Sequence, residues 1–114
     1  METKAKITLV IPDNLQKEFR EQVIKDGYDM RGKSRWIAEG IEYLLTMRNY
    51  PELVSLSNAM KGFEKLESVV ISKDLKKYMD NAVIEIRKEY PAMEGVQSGI
   101  VRTAIVQRLI RSEG

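Results

Sequence analysis

The chain has no cysteine and no histidine. Without cysteine there is no disulfide and no thiol nucleophile. Without both, the usual zinc, nickel and iron ligand sets are gone, and with histidine goes the side chain best suited to acid–base work near neutral pH. No cofactor and no metal are therefore expected. Neither sign of charge dominates: 19 basic residues stand against 17 acidic ones, a net charge of +2, so no global basic field announces a polyanionic partner. Long apolar runs are also missing. None approaches the roughly 20 residues of a membrane span, and the N-terminus lacks the apolar stretch of a signal peptide. The expectation is a cytoplasmic, intracellular protein with no membrane partner. The carboxylates are scattered along polar faces without a spaced pair, and no phosphate-binding glycine loop is present, so an enzyme is not expected.

What is there is a patterned globular sequence. The 114 residues, 43% hydrophobic and 32% charged, suit one compact domain, or two small units sharing a core. After a polar leader from Met1 to Ala5, Lys6-Ile7-Thr8-Leu9-Val10-Ile11-Pro12 alternates polar and apolar. Strand side chains repeat every second residue, which puts Ile7, Leu9 and Ile11 on one face and Lys6, Thr8 and Val10 on the other. A strand this short needs a partner for its backbone, and the other good candidate is Leu66-Glu67-Ser68-Val69-Val70-Ile71-Ser72.

A helix is expected from Asp13 as cap, with Gln16 as its capping-box partner and Leu15, Phe19 and Val23 as the buried stripe. Gly27 suits its C-terminal end. A loop from Tyr28 to Lys33 leads to a second helix capped by Ser34, burying Ile37, Gly40, Ile41, Leu44 and Leu45, with Trp36 as packing near its start. Tyr50-Pro51 breaks this helix. Pro51 then opens a short connector helix in which Leu53, Leu56, Met60 and Phe63 share a face that ends at Gly62. After the second strand, Ser72 caps a helix with Leu75, Met79, Val83 and Ile86 inward, closed by Tyr90-Pro91. Ser98 caps a last helix carrying Val101, Ala104, Ile105 and Leu109.

The halves repeat. At an offset of 60 (75 minus 15), Leu15, Lys17, Val23 and Ile24 meet Leu75, Lys77, Val83 and Ile84, while Ile11 meets Ile71 and Thr8 meets Ser68. At an offset of 64 (98 minus 34), Ser34, Ile41 and Leu45 meet Ser98, Ile105 and Leu109, and Gly40 meets Ala104. The four extra residues fall between the two helices of the second half, where a longer first helix or a longer loop absorbs about one turn.

Strand, helix, loop and Ser-led helix, with Ile-Pro before the first helix, resembles the ribbon-helix-helix (Arc/MetJ-type) DNA-binding regulators. The resemblance implies a mainly α fold with a two-stranded antiparallel ribbon. Two tandem units would form a pseudo-dimer in one chain: residues 4–48, a connector helix in 49–64, and residues 65–114. It further implies a sequence-specific regulator of transcription, a repressor acting by occupancy. Its partner would be the major groove of double-stranded DNA, a groove roughly 12 Å wide that admits such a ribbon. Base contacts would come from Lys6, Thr8, Val10, Leu66, Ser68 and Val70. Phosphate contacts would come from Arg31, Lys33, Ser34, Arg35, Ser98 and Gly99, the helix N-termini offering free amides. Side-by-side association on longer DNA is expected as well. Val10, Leu66 and Val70 depart from the polar side chains usual on such a ribbon, which points towards thymine methyls or leaves open an antitoxin-like or other protein-interaction module on the same fold.

Overall fold

Residues 3–113 are described by the computed structural model, with backbone only at positions 30 and 113; Met1 and Glu2 of the expected leader lie outside them. Lys4 and Ala5 do not belong to a leader: β1 runs Lys4–Pro12 and pairs antiparallel with β2, Phe63–Ser72. The register takes Lys4 to Ser72, Thr8 to Ser68 and Ile11 to Lys65, with an irregularity where Pro12 faces Phe63. Both strands outrun their alternating cores. Lys4 and Ala5 pair with Ser72 and Ile71, and Lys65 and Phe63 with Ile11 and Pro12, while Glu64 is skipped by the register and bonds through its amide to Gly62 O. Gly62, with φ of 81°, turns the chain into β2.

Four long helices and one short one pack beneath this pair: α1 (Asp13–Lys25), α2 (Lys33–Leu45), α3 (Tyr50–Ser57), α4 (Lys73–Glu89) and α5 (Val96–Glu113). The described residues thus form a mostly helical domain with one two-stranded antiparallel sheet. The α1 stripe of Leu15, Phe19 and Val23 is buried, and Leu75, Met79 and Ile86 are its counterparts on α4. Ala82 takes the buried place expected of Val83, which is half-buried. The helix α4 is 17 residues against 13 for α1, so the four extra residues are one added turn of helix.

Helix ends depart most from expectation. The N-cap of α1 is Pro12, with no side-chain cap; Asp13 is already inside the helix, and Gln16 donates to Glu67 Oε1 at 2.8 Å instead of closing a capping box. Ser34 and Ser98 are not caps either, since α2 starts at Lys33 and α5 at Val96. Ser72 does cap, accepting from the Leu75 amide at 3.1 Å. Gly27, with φ of 86°, follows α1; its amide bonds to Ile24 O and that of Tyr28 to Val23 O, a Schellman ending. The connector helix is shorter than its spacing suggested. It buries Pro51, Val54 and Ser57, leaves Leu56 exposed, and stops before Phe63, which belongs to β2.

The core joins Ile7, Leu9, Ile11, Val69 and Ile71 from the strands to Trp36, Ile37, Ile41 and Leu44 of α2 and Ile100, Val101, Ala104 and Ile105 of α5. Residues matched by the repeat meet one another. Thr8 faces Ser68 across the strands, and a Cβ on Gly40 would lie 3.4 Å from Ala104 O, so a small residue is what lets α2 and α5 cross this closely. Trp36 is fully buried, donating to Asp26 Oδ2 at 2.8 Å, with the Arg108 guanidinium of α5 4.6 Å above its ring.

Candidate nucleic-acid interface

The side of the sheet turned away from the helices is built by the alternation of the two strands. Lys6 pairs with Val70, Thr8 with Ser68, and Val10 with Leu66, so the six residues expected there share one face. All are exposed except Ser68, which is half-buried. No acidic residue occupies this face between the Lys4–Ser72 and Val10–Leu66 pairs. Lys6 stands at one end, two hydroxyls sit at the centre, and Leu66, 69% exposed, stands with Val10 at the other end. The outer face is therefore short of hydrogen-bonding side chains and rich in aliphatic surface.

Each outer edge of the pair is tied down by a helix from the opposite half of the sequence. The Val70 amide of β2 donates to Ser34 Oγ of α2 at 3.0 Å. On the other edge, Arg102 of α5 donates through Nη1 to Val10 O of β1 at 2.9 Å. Val10 and Val70 are matched by the offset of 60 (70 minus 10), so the two ties fall at equivalent places with different chemistry. Arg102 is almost fully buried and stacks 4.5 Å from the centre of the Phe63 ring, and its Nε has no partner among the described residues. Burial pulls the guanidinium's pKa down.

The Ser34 tie sets the α2 N-terminus beside the ribbon, while Arg102 reaches it from the second turn of α5, and the residues expected at phosphates have different surroundings. Arg31 is exposed in a short 3-10 turn, Met30–Gly32, held by the Gly32 amide donating to Asp29 Oδ1 at 2.9 Å. Arg35 is exposed too, with its guanidinium 4.7 Å over the Tyr28 ring. Lys33 is not available: its Nζ lies 2.6 Å from Glu67 Oε2 under the sheet. The Ser34 hydroxyl is engaged with Val70. Gly99 is buried, its amide donates to Gly95 O at 2.9 Å, and a Cβ there would lie 3.1 Å from Val54 Cγ1. Gly99 is a packing residue between α5 and α3 and has no amide to offer a phosphate. Ser98 is half-buried in the first turn of α5.

The residue that sequence reasoning passed over is Glu67. Its side chain is 1% exposed, on the inward face opposite Leu9. One oxygen accepts from Arg20 Nη2 at 2.7 Å and Gln16 Nε2 at 2.8 Å, the other from Lys33 Nζ. Burial by itself would raise the carboxyl's pKa; the donors from Lys33, Arg20 and Gln16 outweigh it and hold it below the usual carboxylate range. The signal was in the alternation: if Leu66 and Ser68 face out, Glu67 faces in, and a buried carboxylate demands donors.

Compared with protein-family models, with curated proteins and with solved structures, the chain matches none. No helix among the described residues is long and apolar enough to cross a membrane.

Proposed function

We propose that the chain is a tandem ribbon-helix-helix pseudo-dimer that binds double-stranded DNA in a sequence-specific way and regulates transcription, with residues 4–48 and 65–114 as its two units. One observation carries the reading: six outward residues, three from each strand, pair with one another about the Thr8–Ser68 centre, the place where the sequence repeat puts its two-fold. The ribbon enters the major groove, with Thr8 and Ser68 at the middle and Lys6 towards one end. Val10, Leu66 and Val70 supply apolar contact to thymine methyls. Arg31 and Arg35 reach phosphates beside the α2 N-terminus, and Ser98 stands at the corresponding place on α5. Repression follows from occupancy, and several molecules lie side by side on longer DNA.

The exposed Leu66, Val10 and Val70 also favour a second reading, in which the same face holds a protein partner in the manner of an antitoxin. A gel-shift titration of the chain against its own upstream DNA and against random duplex separates the two. The regulator binds the upstream fragment more tightly, and its affinity falls steeply with salt as displaced counterions demand. Equal affinity for all duplexes, or affinity flat between low and moderate salt, would overturn it.

A further inference from the structure

A cavity of about 410 Å³ opens where the C-terminal end of α2, the start of α3 and the first turns of α4 come together. Its lining combines the aliphatic side chains of Leu45, Leu75 and Ala82 with two tyrosines, Tyr50 and Tyr78, and one acid, Glu42. Thr46 and Asn81 complete the lining, and no lysine or arginine is part of it. The Thr46 hydroxyl is spent on Tyr43 O, at 2.6 Å. Burial, and then the carboxylates of Glu85 and Glu89, raise the Tyr50 phenol's pKa; Glu85 is itself paired with Lys88 at 3.3 Å, so the charge at the cavity lining comes from Glu42. Asp74 and Lys77 sit beyond Tyr78, in the adjoining hollow, with opposite charges.

From this lining we infer that the cavity is a binding site for a small organic monocation: an ammonium group beside the Tyr50 and Tyr78 rings and the Glu42 carboxylate, carried on an apolar body that covers Leu45, Leu75 and Ala82. The chemistry is cation–aromatic attraction beside an acid. The ring faces of tyrosine attract a cation, a nearby carboxylate adds to that attraction, and an apolar lining gains from covering aliphatic or aromatic carbon. A size of a few hundred Å³ fits a drug-sized or smaller ligand and excludes a macromolecule. The sequence repeat does not duplicate the arrangement. At the offset of 60, Tyr78 and Asn81 correspond to Glu18 and Glu21, so the equivalent place near α1 lacks this tyrosine. The site goes beyond the DNA-binding reading and does not depend on it.

The test is calorimetric titration of the free protein with three probes of the same size: 2-phenylethylammonium, 2-phenylethanol and phenylacetate. The cation should saturate one site, and phenylacetate should bind about tenfold more weakly or not at all, as attraction becomes repulsion. Tyr78→Ala and Glu42→Gln change exposed side chains and leave the core alone, and each should weaken the cation about two- to fivefold. The neutral alcohol should bind more weakly than the cation and be indifferent to Glu42→Gln. Equal binding of all three probes would make the cavity an apolar hole without charge preference and overturn the inference. So would failure of the cation to saturate at millimolar concentration, or affinity for it unchanged in both variants. No DNA enters the measurement, so its outcome is separate from that of the gel shift.

Discussion

At the scale of single residues, Glu67 and its donors carry the clearest electrostatic consequence. A carboxylate whose folded pKa is depressed stabilises the fold fully above its unfolded value, near 4.3 for glutamate, and loses that contribution as pH falls through the folded pKa. Glu67→Gln should therefore cost about 1.5–3 kcal/mol at neutral pH, the worth of hydrogen bonds to a charged group. The gap to the parent protein should close as the solution is acidified below the ordinary carboxylate range. Urea unfolding of both proteins across that range checks it; a gap independent of pH would mean that the carboxylate charge is not what the donors hold. Lys33 belongs to the same network, so Lys33→Ala should lower stability and cannot serve as a clean probe of phosphate contact.

At the scale of elements, the strands and buried stripes were legible because a period of two and a period near four each leave a mark that tertiary contacts only reinforce. Ile7, Leu9 and Ile11, or Leu15, Phe19 and Val23, can be read from spacing alone. Of the expected side-chain caps only Ser72 is one, because a serine or aspartate oxygen has several amides to choose from, and the neighbouring element decides. The three serines make this measurable. Ser72→Ala should cost about 1 kcal/mol through loss of a cap. Ser34→Ala should cost a similar amount, about 1 kcal/mol, by leaving a strand-edge amide unbound. Ser98→Ala, inside the first turn of α5, should change urea stability little. The surroundings of the residues expected at phosphates were only partly legible for the same reason: Lys33 and Gly99 have local sequence neighbours that suit an anion, but their contacts come from β2 and α3.

The ribbon face gives the functional prediction at this scale. Thr8→Ala with Ser68→Ala should erode preference for a cognate duplex by no more than about 1 kcal/mol and leave random-duplex affinity nearly intact, since single hydroxyls read weakly. Arg31→Ala with Arg35→Ala should weaken binding to every duplex alike and flatten the salt slope by about 2, roughly one unit for each phosphate left unneutralised. Fluorescence anisotropy on both duplexes at several salt concentrations distinguishes the two patterns. Strand variants that behave like the arginine variants would mean the outer face does not meet bases.

At the scale of the whole molecule, neither half has a sheet of its own. β1 finds its hydrogen bonds on β2, Ser34 ties to the second half, and Arg102 ties to the first. Thermal unfolding should thus be a single transition whose midpoint does not move over a wide range of protein concentration, because every partner is on the same chain. Trp36, the one tryptophan, lies where α1, α2 and α5 meet, so its fluorescence should change at that same midpoint. A midpoint that rises with concentration would show that the strands exchange between chains.

The pairing of Lys6 with Val70 at one end of the ribbon and of Val10 with Leu66 at the other has a consequence of its own. Two identical strands would present a face that looks the same after half a turn. Here a half turn carries a lysine onto a leucine, so the face has a head and a tail. Anything that lies against it does so in one sense rather than two, and on the proposed DNA-binding reading a palindrome is not the natural shape of the target. A site read in that way should differ between its two halves, each half set by the strand that meets it.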